Sequence, residues 1–237
     1  MGTVDVETEW FLVAKMRAFV ETQDPSAKET DNFTLRRFLR ARDLDIEKGS
    51  SLFLKYLKWR RQTVPNGFIS ESEIQNDLSQ RKVFMQGFDK ARRPILVCFL
   101  AKHDYSKRNM EEFKRFVTYA LDKACARMPS GQEKFICIAD LKGWTYGHCD
   151  IRAYIASLET MQSYYPERLG KALLINVPGI FMKAWKIIYP FIDKNTKEKF
   201  IFVDNKKLQE ALLEDIHESQ LPEIYGGNLP VVPIENA

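Results

Sequence analysis

The chain has 237 residues, 45% of them hydrophobic and 29% charged, with 16 Phe, 9 Tyr and 4 Trp. That aromatic load excludes disorder over most of the length and supplies core enough for one large or two small domains. Lys and Arg number 36 against 32 Asp and Glu, a formal charge of +4, too small to make the whole chain a polycation for nucleic acid.

Three amphipathic stretches open the chain. Trp10, Val13, Ala14 and Phe19 mark a helix that ends before Pro25; Leu35, Phe38 and Leu39 mark a second; Leu52, Phe53, Tyr56, Leu57 and Trp59 mark a third. From Thr34 to Gln62 nine Lys or Arg face three Asp or Glu, a local +6, so this lobe carries the positive charge and the remainder is slightly acidic. The expected organisation is a helical lobe over 1–62, a polar linker over 63–80 containing Pro65-Asn66-Gly67, an α/β domain over 81–229 and a short tail, 230–237.

Beyond the linker, short apolar runs alternate with helical patterns. Val83 to Met85, Ile95 to Leu100, Phe135 to Ala139, Ala172 to Ile175 and Phe200 to Val203 read as strands screened on both faces. Between them, Phe113, Phe116, Val117, Ala120, Leu121, Ala124 and Met128 share one helix face, and Ile151, Tyr154, Ile155, Leu158 and Tyr165 another. The first two strands flank the turn Phe88 to Pro94; the rest alternate βαβα, so the fold class is α/β with a mainly parallel sheet.

One segment breaks the amphipathic rule. In GIFMKAWKIIYPFI, Ile180, Phe181, Met182, Trp185, Ile187, Ile188 and Tyr189 cover more than one face of a helix, with Lys183 and Lys186 alone to solvate it. Such a helix is buried in a core or meets lipid, and the segment alone leaves both open.

Enzyme motifs are missing. The chain has no GxGxxG, GxxxxGK[ST] or GxSxG, His148-Cys149 lacks a following anion cradle, and His103-Asp104 reads as a surface turn. Asp140, at the end of a strand, is read as a cap of the following turn rather than a catalytic group. Cys98, Cys125, Cys137 and Cys149 form no CxxC pair, and with three histidines no metal site or cofactor is expected. No window approaches the ~18 apolar residues of a membrane span. The opening MGTVDVETEW lacks a signal-peptide pattern, and Val6 stands where myristoylation wants Ser or Thr. A cytoplasmic protein, transiently at membrane surfaces, is the expectation.

Particular strings carry a resemblance that periodicity does not supply: LRRFLRARDLDIEKG, LKWRR, GFDKARRPILV, IADLKGW, YYPERLGKALLINVPGIF, YPFIDKNTKEKF and LPEIYGG. In order, from about Phe33 to Gly227, they resemble the CRAL-TRIO lipid-binding family, of the phosphatidylinositol transfer type. The resemblance implies a helical N-terminal lobe on an α/β lobe whose sheet floors an apolar lipid cavity, with Gly179 to Ile192 as its gate helix. It implies a non-enzymatic carrier of phosphatidylinositol that meets membranes through the gate and through basic patches around Arg36, Arg37 and Arg40, with lipid kinases as candidate protein partners.

By the same resemblance, the inositol phosphate headgroup is engaged by Arg42, Glu167, Thr196 and Lys199. Cavity-strand positions that carry Ser, Thr and Met in phosphatidylcholine exchangers hold Phe135, Cys137 and Ala139 here. The second ligand is therefore expected not to be phosphatidylcholine by the usual contacts. A carrier of another small hydrophobic ligand, of tocopherol or retinoid type, and an α/β enzyme acting on lipids stand as alternatives. After LPEIYGG only NLPVVPIENA remains, so no further membrane-targeting domain is expected.

Overall fold

A computed structural model describes residues 5–237. Residues 1–4 of the opening MGTVDVETEW lie outside the described residues. The chain forms two compact units: one runs to Phe68 and takes in Gln162–Glu167, and the other comprises Ile69–Met161 and Arg168–Ala237.

The first unit is built from α1 (Val6–Gln23), α2 (Asn32–Arg40) and α3 (Ile46–Thr63). Each helix is started by an aspartate: Asp5 accepts from Thr8 N (2.8 Å), Asp31 from Thr34 N (2.8 Å) and Asp45 from Lys48 N (2.9 Å). Such caps satisfy otherwise orphaned amides, each contributing ~1 kcal/mol. Val13, Met16 and Val20 of α1 pack on Leu35, Phe38 and Leu39 of α2 and Leu52 and Phe53 of α3.

Two expectations are corrected in this unit. Ala14 and Phe19 do not face the core; Phe19 is 46% exposed, and the inner stripe of α1 runs through Glu9, Val13, Met16 and Val20. The arginines assigned to a lipid-facing patch are largely engaged within the fold. Buried Glu9 pairs with Arg36 (2.8 Å) and Arg40, while Arg37 is 7% exposed and donates to Thr34 Oγ1 (2.6 Å). Burial pushes the Glu9 carboxyl up, but its bonds to Arg40 and Arg36 outweigh that and leave its pKa lowered.

In the second unit, β1 (Val83–Phe88), β2 (Pro94–Phe99), β3 (Phe135–Asp140), β4 (Leu169–Ile175) and β5 (Phe200–Phe202) lie side by side in chain order. β1 and β2 form an antiparallel hairpin and the other pairs are parallel. Asp89 holds the hairpin turn, accepting from Arg93 N at 2.7 Å and Arg93 Nε at 2.5 Å. α4 (Gln75–Ser79) precedes the sheet; α5 (Met110–Ala126), α6 (Ile151–Tyr164), α7 (Phe181–Ile188) and α8 (Lys194–Lys197) lie in its crossovers, and α9 (Leu208–Asp215) follows.

Alternation along the strands gives the sheet two different faces. Ile95, Val97, Ile136, Ile138, Leu173 and Ile175 pack with Leu212, Ile216, Leu221 and Tyr225 in a filled core. Leu96, Cys98, Phe135, Cys137, Ala139 and Ala172 face the other way, into a void. The outer edge of β1 is covered by the last residues: Met85 N donates to Val232 O (3.0 Å), Phe84 bridges Pro233, and Ile234 is buried. Covering an edge removes a template for unwanted strand pairing.

Candidate functional site

The void on the second face is a cavity of about 280 Å³. Its floor is the sheet, from Val83 on β1 to Phe200 on β5; its walls are Phe113, Phe116, Val117, Ala120 and Leu121 of α5 and Ala153, Tyr154, Ser157, Leu158 and Met161 of α6. Phe135, Cys137 and Ala139 are all part of the floor. Cys137 Sγ lies 3.8 Å from Cys98 Sγ, and that contact together with burial raises the Cys137 pKa, so this thiol stays protonated. Tyr154, half-buried, has its phenol pushed up to about 12; it accepts from Trp144 Nε1 (2.9 Å) and donates to His148 O (3.0 Å). These groups present no activated nucleophile to the cavity.

α7 does not itself line the void. Its inner face, Phe181, Ala184, Trp185 and Ile188, forms a cluster with Leu141, Trp144, Leu158 and Leu174, against which the lining residues Leu100, Ala139, Tyr154, Met161 and Phe200 also pack. Trp185 meets Phe200 and Phe202 edge to face, with ring centroids at 5.2 and 5.1 Å. The outer face leaves Ile180, Met182, Ile187, Tyr189 and Phe191 exposed, Ile187 by 55%. An apolar helix with one side packed and one side bare has resolved the choice between core and surface by doing both.

The four residues assigned to a headgroup divide between the units. Arg42 follows α2, its Nη1 donating to Ala41 O (2.7 Å), and Glu167 sits in the segment after α6 at φ +60°, a left-handed conformation uncommon for a side-chain-bearing residue. Thr196 lies in α8, and Lys199 immediately before β5, its N–H donating to Thr196 O (3.1 Å) and its carbonyl accepting from Ala172 N (2.8 Å).

Sequence reasoning missed a polar cluster in the cavity wall. Lys82 and His103 both line the void and are both buried, so His103 is not on the surface turn expected for it. Lys82 Nζ pairs with Asp77, donates to Gln80 Oε1 (2.9 Å) and to His103 Nδ1 (3.0 Å), and lies over the rings of Phe113 and Phe116. His103 Nε2 donates to Asp150 Oδ2 (3.1 Å), and Asp150 also pairs with Arg108. Desolvation lowers the pKa of Lys82 against the pull of Asp77; desolvation and the Lys82 charge lower that of His103. Residues 77, 82, 103 and 150 carry no local motif, so only folding brings them together.

Asp140 behaves as the cap the sequence indicated. Its Oδ1 accepts from Lys142 N (2.8 Å) and Asn176 Nδ2 (2.9 Å), its Oδ2 from the buried Tyr225 hydroxyl (2.8 Å). Among the described residues no group of three or more His, Cys, Asp or Glu is placed to hold a metal ion, and no helix is long and apolar enough to cross a membrane.

An α/β sheet that floors an apolar cavity, walled by two helices and flanked by a half-bare one, defines a lipid-binding fold. Residues 78–227 match the CRAL/TRIO domain model, and the chain belongs to that family of lipid-binding and lipid-transfer proteins. It is 30% identical to the SEC14 cytosolic factor of Kluyveromyces lactis, covering 99% of this chain and 82% of that one. It is 32% identical to the Sec14 cytosolic factor of Schizosaccharomyces pombe, covering 84% and 75%. Identity to Patellin-4 of Arabidopsis thaliana is 31% over 84% of this chain, which spans 38% of that longer protein. The crystal structure of Sfh5 shares the fold, with a TM-score of 0.67 at 18% identity over 89% of this chain and 85% of Sfh5.

Proposed function

We propose that the protein holds phosphatidylinositol with its acyl chains in the second unit's cavity and transfers or presents it between membranes, as a cytoplasmic carrier without catalytic activity. The observation that carries this reading is the unfilled apolar cavity of about 280 Å³ in a domain whose other sheet face is packed solid. An interior that forgoes packing loses stability for every missing contact, so a void of this size calls for an occupant. Hiding acyl chains is worth ~0.8 kcal/mol per CH₂, which an apolar wall supplies and water does not.

Ligand pockets commonly run from ~300 to ~1,000 Å³, so the cavity is at the lower bound and a two-chain lipid requires the wall to move. α7 is the element suited to that motion, since its outer face already carries apolar side chains and Lys183 and Lys186 for a membrane surface. Arg42 and Lys199 would neutralise the phosphodiester, Glu167 would accept from ring hydroxyls and Thr196 would complete the headgroup contacts. Lipid kinases, which act on the presented headgroup, are the protein partners this role would serve.

The test is transfer of labelled phosphatidylinositol between vesicles by the purified protein. Glu167→Ala and Lys199→Ala should abolish transfer while circular dichroism and melting show an intact fold. Full transfer by both variants would overturn the headgroup assignment. The apolar floor at Phe135, Cys137 and Ala139 favours a second ligand other than phosphatidylcholine, and rapid phosphatidylcholine transfer would refute that part.

A further inference from the structure

We propose that the contact between Lys82 and His103 is an acid-operated seam in the cavity wall: a proton on His103 parts the two side chains and lets water into the apolar interior. Only its consequence, a weaker hold on an apolar occupant, rests on the reading of the cavity as a lipid site.

Hydrogen-bonding capacity fixes the proton positions. An ammonium has donors alone, so Nδ1 of His103 must accept from Lys82 Nζ (3.0 Å); a carboxylate accepts alone, so Nε2 carries the hydrogen given to Asp150 Oδ2 (3.1 Å). His103 is therefore neutral, and all three Lys82 hydrogens are committed, to His103, to Asp77 and to Gln80 Oε1 (2.9 Å). A second imidazole proton can go only on Nδ1, where it points at the ammonium. The bond across that contact becomes a repulsion, while the bond to Asp150 becomes charge-assisted and tightens. Protonation does not dissolve the cluster; it divides it at one place.

The two sides of the division belong to different elements. Lys82, just before β1, stays with Asp77 of α4. His103, after β2, stays with Asp150, which pairs with Arg108 and starts α6 by accepting from Ala153 N (3.0 Å). Glu112, in the first turn of α5, accepts from Asn76 N and Asp77 N at 2.7 and 3.2 Å, and Phe113 beside it packs on the imidazole with centroids 5.4 Å apart. Asp104, next to His103, is turned to Ser106 and Lys107. Around the imidazole, Lys82 and Arg108 thus stand against Asp77, Asp150 and Glu112. An added proton neutralises that excess of negative charge, so the cluster can take it up while folded; the resistance comes from Lys82 and from burial.

The seam lies where water can use it. Lys82 and His103 are each only 6% exposed, yet both line the void, together with Phe113 and Ala153 from the starts of the two wall helices. Among the described residues they are the only charged or basic side chains of the lining. Water entering here finds the several polar partners it needs, which the apolar remainder of the wall does not offer.

The experiment follows thiol labelling and dye retention in the full chain from about pH 7.5 to about pH 4.5. Cys98 and Cys137 line the void and Cys125 does not, so brief exposure to 4,4′-dithiodipyridine and peptide mass spectrometry give the labelling of the first two relative to the third. In the wild type this ratio should rise about tenfold or more, since each pH unit above the folded pKa changes the protonated fraction of His103 tenfold, and bound Nile red should leave over the same range. His103→Gln has an amide oxygen to accept from Lys82 and amide hydrogens for Asp150 but does not titrate, so its ratio should stay flat and its dye bound. Lys82→Met with Asp77→Asn, which removes the opposing ammonium without stranding a carboxylate, should flatten the ratio as well. Circular dichroism at each pH separates opening of the seam from unfolding. A flat ratio in the wild type, or the wild-type rise in both variants, would overturn the seam. Acid-driven labelling in a protein that takes up no dye at any pH upholds the seam and sinks the lipid reading; dye held throughout with flat labelling sinks the seam alone.

Discussion

The indole of Trp59 stacks on the phenol ring of Tyr164 with centroids 3.9 Å apart and planes 4° from parallel. Tyr165 meets the same indole edge-on at 6.1 Å and its hydroxyl lies 3.4 Å from Arg60 Nη1. Together these contacts bind Tyr164 and Tyr165, just before Glu167, to α3 within the helical unit. A residue assigned to headgroup recognition is thus held by side chains more than a hundred positions earlier in the chain.

Trp59→Ala should therefore lower the unfolding free energy by about 3 kcal/mol, whereas Trp59→Phe, which keeps a stacking ring, should lose less than half of that. Urea denaturation followed by circular dichroism measures both. Equal losses would show that area, and not the stack, holds the segment.

Glu9→Gln removes the buried carboxylate shared by Arg36 and the 40%-exposed Arg40, and because solvent screens the exposed partner the expected loss is about 1 kcal/mol. Because the folded pKa of Glu9 lies below its unfolded value, the wild type gains stability from this pair above the ordinary carboxylate range and gives it up as pH falls through the folded pKa. The variant should lack that part of the acid slope in melting curves taken from pH 6 to pH 3.

His103 also has a lowered folded pKa, here because burial disfavours its charged form. Its folded pKa is lowered from 6.5, so the unfolded chain takes up a proton first, and stability should fall as pH drops below about 6.5 until the folded pKa is reached. Protonation also places a hydrogen on Nδ1 facing Lys82, so release of a cavity-bound dye should accompany the titration. A nuclear magnetic resonance titration of the imidazole alongside dye fluorescence checks both; dye retention through the full titration would separate the cluster from the cavity.

Ala139→Leu should fill part of the void. We expect a gain of about 1 kcal/mol in stability, from contacts the floor now lacks, together with loss of lipid uptake. Thermal melting and lipid extraction on the same sample decide it, and a stabilised variant that still carries its lipid would place the ligand elsewhere.

Ile187→Glu should leave melting unchanged, since Ile187 is 55% exposed, yet weaken sedimentation with anionic vesicles several-fold. Trp185→Ala, on the opposite face, should do the reverse at first sight, destabilising by about 3 kcal/mol through loss of its contacts with Phe200 and Phe202.

Local chemistry determined much of this protein. The 3.6-residue pattern and the short β-rich runs between helices place α1 to α3, α5 to α7 and all five strands, because each depends on neighbours within a few positions, while the short α4, α8 and α9 escaped it. The strings from LRRFLRAR to LPEIYGG likewise identified the family, and the headgroup roles proposed for Arg42, Glu167, Thr196 and Lys199 rest on them alone. What remained for tertiary structure was which groups meet. The outward turn of Phe19, the pairing of Arg36 and Arg40 with Glu9, and the gathering of Asp77, Lys82, His103 and Asp150 each depend on side chains far apart along the chain. So does the cavity itself: a strand written in apolar letters reads the same whether it faces a filled core or a void, and only the spacing of α5 and α6 above the sheet leaves one face of β3 unpacked.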